Sequence, residues 1–140
     1  MEFEKICKPQ FNECFICGSD NPIGLHLNIL SGEDTAVCDW VAMKEYEGYA
    51  GMLHGGILAA IMDDMMAHAL YSRNIAIVTA HLGVDYKSTV YTGDKIHIEV
   101  HLDSHREGSK AYHMTGPVTK DGILCAELHG VAVQTDKVPN

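Results

Sequence analysis

Apolar residues follow two rhythms along this chain. Leu25, Leu27 and Ile29 alternate with His26, Asn28 and Leu30. A period of two is that of a half-buried strand, so a strand ending at Ser31-Gly32 is predicted. Thr35 to Ala42 repeats the alternation, with Ala36, Cys38, Trp40 and Ala42 on one face. At His54 the rhythm changes. Gly55-Gly56 opens a nearly unbroken apolar stretch from Ile57 to Met66, interrupted only by Asp63-Asp64. This predicts a helix from 55 to 72, ending near Ser72-Arg73-Asn74. Four strand-like runs follow, at 75–88, 94–104, 110–120 and 123–135. Thr92-Gly93, Glu107-Gly108 and Asp121-Gly122 separate them, the last being the clearest hairpin signal. Residues 1–24, punctuated by Pro9, Gly18, Pro22 and Gly24, read as irregular, and 43–53 as a loop.

The predicted order is two strands, one long helix and a four-strand meander. A helix that is apolar all round must be buried, and an antiparallel sheet wrapped around it would bury it. The fold class is therefore α+β, with five to six strands around one central helix. A length of 140 residues predicts one domain over 1–140.

Composition narrows the function classes. A net charge of −9 excludes a general binder of nucleic acid or anionic membrane, both of which need a basic field. The apolar run Ile57–Met62 is too short to span a bilayer. The first residues show no signal architecture. Five scattered cysteines fit a reducing compartment better than a disulfide framework, so a cytoplasmic location is expected.

Two carboxylates in the middle of an apolar helix are the candidate chemistry. An unpaired buried carboxylate is costly, so a helix made only for a core would not carry one. Upstream, the helix N-terminus offers free N–H groups and the positive end of the dipole, an arrangement suited to a polarised carbonyl. Asp63 and Asp64 leave the helix about 100° apart and cannot share a face.

His54-Gly55-Gly56, six residues and then Asp63 resemble the helix start of the hotdog-fold acyl-CoA thioesterases, in the phenylacetate-pathway (PaaI-like) branch. Thr79-Ala80-His81-Leu82-Gly83-Val84-Asp85-Tyr86, closed by Thr92-Gly93-Asp94, is similar to that branch's next strand and turn. Cys14-Phe15-Ile16-Cys17-Gly18 and Asn21-Pro22-Ile23-Gly24-Leu25 are similar to the opening of small members. The resemblance covers most of residues 14–94. It implies the hotdog fold, a thioester hydrolase, and Asp63 rather than Asp64 as the reacting carboxylate. Asp64 would then point elsewhere, to a partner such as Lys or to a subunit interface.

The roles follow. Gly55 N–H would bind the thioester oxygen, and Asp63 would act as general base on water or as nucleophile. Thr79 would hydrogen-bond Asp63 or the water. His54 would orient substrate or shape the oxyanion pocket, and Gly56 beside it would bind substrate. Along a helix Gly55 and Asp63 are roughly 12 Å apart, too far to share one carbonyl. Antiparallel helices across a two-fold axis would bring Gly55 of one subunit to Asp63 of the other, in a homodimer or a dimer of dimers. Met62 and Met66, with Met52 and Met65, would line an acyl pocket or fill the core. Lys87, Arg106 and Lys110 are the basic residues nominated for the phosphates of acyl-CoA. Thiolate leaves readily, so no cofactor and no catalytic metal is required.

Two departures from the family pattern stand out. Gly48 occupies a position where relatives carry a water-positioning Asn, and Thr89 one where they carry Pro. Two other readings stay open: a non-catalytic acyl-CoA binding module, and a hotdog dehydratase or hydratase. Cys14-x-x-Cys17 is half of a zinc motif, with Cys7 or His26 as candidates for the rest; without a second CxxC, a packing segment is preferred.

Overall fold

The computed structural model describes residues 2–6 and 8–137. After a short 3-10 turn at Pro9–Phe11, strands β1 (Leu30–Gly32) and β2 (Thr35–Val41) precede helix α1 (Gly55–Ala69). Strands β3 (Ile77–Tyr86), β4 (Lys95–Ser104), β5 (Ala111–Lys120) and β6 (Ile123–Gln134) follow. Among the described residues these strands form one antiparallel sheet in the order β1-β2-β4-β5-β6-β3. The helix packs on β1, β2, β3, β4 and β6.

The alternation along β2 is borne out, since Ala36, Cys38 and Trp40 are buried while Asp39 and Val41 are exposed. Leu25, Leu27 and Ile29 are buried in turn, as the pattern requires, but the regular strand is shorter than expected and begins only at Leu30. The reason is a different partner. Leu25 and Leu27 donate their N–H groups to the carbonyls of Phe15 and Ile16, so this stretch zips onto the N-terminal segment rather than onto the sheet. The helix ends three residues before 72, and a 3-10 turn at Tyr71–Arg73 closes on Asn74 at φ +54°.

The four-strand meander is corrected. Only β4, β5 and β6 run as neighbours. β3 crosses to the far side and pairs with β6, from Ile77↔Gln134 to Tyr86↔Ala126. A bulge between Thr79 and His81 shifts its register. The outer edge of β3 pairs with no strand among the described residues. Asp121 (φ +48°) and Gly122 (φ +79°) both sit in the left-handed region that a two-residue hairpin loop demands, and they join β5 to β6.

Residues Leu58, Ile61, Met62, Met65, Met66 and Ala69 form the buried stripe of α1. They recur three and four apart, as one helix face must. They meet Ile96, Ile98, Val100, Val118, Leu128 and Ala132 of the sheet. No helix among the described residues is long and apolar enough to cross a membrane.

Candidate active site

The loop before α1 sets its first turn. His54 is the N-cap, extended at φ −63° and ψ 128°, and its Nδ1 accepts the Gly56 N–H at 2.9 Å. That contact occupies the Gly56 donor, so Gly56 shapes the turn and offers no N–H to a substrate. Ile57 and Leu58 donate to the His54 carbonyl. Gly55 N–H is the first donor of the helix and has no acceptor among the described residues. Tyr86 Oη donates to the Gly55 carbonyl at 2.5 Å. Partial burial pushes the Tyr86 phenol up from its ordinary pKa and keeps it a donor. Tyr86 thus ties the end of β3 to the start of α1, a contact that no sequence motif announced.

Two cavities flank Gly55. One, of about 270 Å³, is lined by Leu53, Gly55, Leu58, Tyr86, Lys87 and Val90 among others. The other, of about 570 Å³, is lined by Gly48, Tyr49, Met52, Leu53, His54 and Gly55. A side chain at Gly48 would press on the His54 backbone and ring at 3.3 Å. Gly48 therefore sits directly against the His54 cap.

Asp63 lies two turns along α1, half-buried on the side the sheet leaves uncovered. Thr79 Oγ1 donates to Asp63 Oδ1 at 2.5 Å. The structure therefore brings Asp63 and Thr79 together, and Gly55 with His54, but the two groups occupy different turns of one helix.

Other nominated residues fall elsewhere. Met62 and Met66 do not line these cavities. Both are fully buried in the core, with Met66 Sδ against Gly130, because they lie on the helix stripe that faces the sheet. Met52 is the methionine at both cavities. Lys87 lines the first cavity. Arg106 and Lys110 lie in the β4–β5 connection, whose neighbours in register, Ala111↔Val133 and Ile77↔Gln134, are at the end of the sheet opposite Tyr86. Within one chain, neither belongs to the Gly55 site.

Asp64 turns away from Asp63, as the 100° step requires, but its neighbours are Cys14 and His68 rather than Lys. Cys17 lies in the same place, and its hydrogen bond, with backbone N–H groups of Cys17 and Ile16, lowers the Cys14 thiol to about 6. The shared proton and burial push Cys17 the other way. His26 is exposed beside the Asn21 carbonyl, and Cys7 lies outside the described residues.

A family model for the thioesterase superfamily matches residues 50–105, the stretch from the helix-start loop through β4. Solved structures superpose on more of the chain. A thioesterase-superfamily protein matches with a TM-score of 0.78 and 18% identity, over 93% of this chain and 68% of its own. The E. coli PaaI protein from the phenylacetic acid degradation operon matches at 0.72 and 18%, over 79% and 80%. The fold is a hotdog, and the resemblance is to the thioesterase superfamily. A Streptococcus mutans protein solved bound to acetyl-CoA shares the hotdog fold at TM-score 0.71 and 17% identity, over 78% of this chain and 88% of its own. No curated protein matches by sequence. Gly55 lies at the N-terminus of α1 and Asp63 in its middle.

Proposed function

We propose that the protein is an acyl-CoA thioesterase whose site is completed by a second copy of the chain. The observation that carries the reading is the Asp63–Thr79 pair, a carboxylate held at 2.5 Å by a single hydroxyl on the uncovered side of a helix. The free Gly55 N–H at that helix's start supports it.

The helix side that the sheet leaves open presents Gly56, Ala60, Asp63 and Ala67, spaced four, three and four residues apart. Small residues in such a row permit close approach of a second helix. The unpaired edge of β3 is ten residues long and carries exposed Val78 and Tyr86. A long uncovered edge is a template for pairing with another strand. Both features favour an isologous dimer in which Gly55 faces Asp63 of the partner subunit.

In that arrangement the thioester oxygen sits on Gly55 N–H at the positive end of the helix. Asp63 of the partner subunit takes a proton from water as the oxygen of that water bonds to the carbonyl carbon. The oxyanion forms on Gly55 N–H, a donor already in place and in no need of reorganisation. Collapse breaks the C–S bond, expelling CoA thiolate and leaving the free acid. Direct attack by Asp63, followed by hydrolysis of the anhydride, uses the same atoms. Thr79 fixes the carboxylate's direction in either route. Lys87 stands at the cavity mouth for a phosphate. A relative carrying acetyl-CoA on the same fold is consistent with such a substrate.

The test is release of free CoA from short, long and aryl acyl-CoAs by wild type and Asp63→Asn. Release that falls about a hundredfold or more in the variant supports hydrolysis through Asp63. Binding without release supports the acyl-CoA binding module instead, a reading that Gly48 favours because it leaves the attacking water one contact short. Hydration of an enoyl thioester supports the dehydratase class.

A further inference from the structure

Asp63 faces Thr79, while Asp64 faces the N-terminal segment. One ligand atom from each of Cys14, Cys17 and Asp64 lies within 4.8 Å of the other two. Cys14 Sγ is 3.5 Å from Asp64 Oδ1. His68 Nε2 lies 3.4 Å from Cys17 Sγ and 3.3 Å from Asp64 Oδ2.

We propose that Cys14, Cys17, Asp64 and His68 bind one zinc ion that fastens the N-terminal segment to helix α1. With zinc–sulfur bonds near 2.3 Å and zinc–nitrogen or –oxygen bonds near 2.0–2.1 Å, the vertices of a tetrahedral site lie about 3.3–3.8 Å apart. The three measured contacts of 3.3, 3.4 and 3.5 Å are of that length, with Cys14 on Asp64 Oδ1 and His68 on Oδ2, so the carboxylate must turn to present one oxygen to the ion. The donor set is thiolate, imidazole and carboxylate, which suits a borderline cation such as Zn²⁺ and disfavours Mg²⁺ or Ca²⁺.

The cluster is left polar and unpaired in a way an ordinary core would not tolerate. Asp64 Oδ2 is buried with no hydrogen-bond partner, because the His68 contact at 3.3 Å lacks the required geometry. His68 is 3% exposed, and its Nδ1 has no partner, so its ring meets polar groups only through Nε2, on the cluster side. Among the described residues no Lys or Arg pairs with Asp64. Leaving a buried carboxylate oxygen without a partner is costly unless a cation compensates it.

Local structure brings the four ligands together. Gly18 N–H closes a turn on the Cys14 carbonyl at 2.9 Å. A side chain at Gly18 would overlap the Asn12 carbonyl oxygen and the Cys14 nitrogen. Only glycine permits this tight Cys-x-x-Cys-Gly knuckle. Asp64 and His68 are four apart on α1 and therefore share a face. Tyr71 and Phe11, with ring centroids 4.6 and 6.5 Å away, hold the His68 ring. A cavity of about 60 Å³, lined in part by Phe11, Asn12, Cys17 and His68, reaches the cluster. With four protein ligands the site is closed and therefore structural. It stands apart from Asp63 and does not depend on the thioesterase reading.

The test uses untagged full-length protein purified without chelator, with metal measured by mass spectrometry and thiols counted after unfolding. The proposal expects one zinc per chain and loss of that zinc in Cys17→Ser and His68→Ala. Wild-type protein stripped and reloaded with Co²⁺ should show thiolate-to-metal charge transfer and the intense visible bands of a tetrahedral site. This readout does not depend on whether the variants fold. Zinc removal should lower Tm without abolishing the fold. Metal-free protein that takes up no cobalt, an octahedral cobalt spectrum, a Cys14–Cys17 disulfide in the purified chain, or undiminished zinc in both variants would each overturn it.

Discussion

Replacing Gly55 by proline removes one hydrogen atom from the proposed site and little else. Proline is well accommodated at the first position of a helix, where the N–H makes no intrahelical bond. It also requires an extended residue before it, and His54 is already there at φ −63° and ψ 128°. Gly55 is not in the left-handed region, and a Cβ there would meet Tyr86 at 3.5–3.6 Å, an ordinary contact. Gly55→Ala therefore adds the same first carbon while keeping the N–H, and serves as the control. Deleting one oxyanion donor costs about 2.7–4 kcal/mol of transition-state stabilisation, or about 10²–10³ in kcat. Gly55→Pro should lose that much in a thiol-release assay, and Gly55→Ala less than about tenfold. Neither should lower Tm, since both restrict the unfolded chain more than glycine does. Equal losses in the two variants would mean that steric filling beside Tyr86, and not the missing donor, is responsible. Full activity in Gly55→Pro would refute the oxyanion role.

Thr79→Val removes the hydroxyl that holds Asp63. A hydrogen bond to a charged group contributes about 1.5–3 kcal/mol, so kcat should fall about tenfold, the lower end, given the exposure of Thr79 in the chain. Thr79→Ser should restore it, and an unchanged kcat in the valine variant would remove Thr79 from the mechanism. Gly116→Ala tests the sheet. Its Cβ would overlap the Glu99 carbonyl on β4, and backbone cannot yield as a side-chain end can. A loss of about 3 kcal/mol is expected from urea denaturation, and a loss below about 1 kcal/mol would contradict the β4–β5 register.

Much of this architecture was legible in the order of residues, and the illegible parts have physical reasons. The alternation of Ala36, Cys38 and Trp40 records one buried face, and Asp121-Gly122 records a turn that needs two positive φ angles. Both are local facts. The position of β3 is not local. Its residues are exposed or half-exposed throughout, and nothing in a strand's own pattern names its neighbour. The alternation at Leu25–Ile29 reports burial without reporting sheet pairing, because any extended segment against a core alternates.

The helix shows the same division. An all-apolar sequence hides which face the sheet covers, so it does not separate a pocket-lining Met62 or Met66 from one in the core. The resemblance points to Asp63, and only the folded chain reveals its contact with Thr79. Asp64 and His68, four apart, carried a legible ligand spacing. What no spacing within the helix could convey is that Cys14 and Cys17, some fifty residues upstream, dock against it.

The account rests on a site shared between two copies, and subunit mixing tests it most directly. Gly55→Pro and Asp63→Asn, each expected to be nearly inactive, are unfolded together in equal amounts and refolded. Half of the dimers should then be mixed, and each mixed dimer should have one site free of both substitutions. Recovery of about a quarter of wild-type thiol release is the predicted result. No recovery, with mixed dimers demonstrated by mass, would place Gly55 and Asp63 of the same chain in one site and contradict the account.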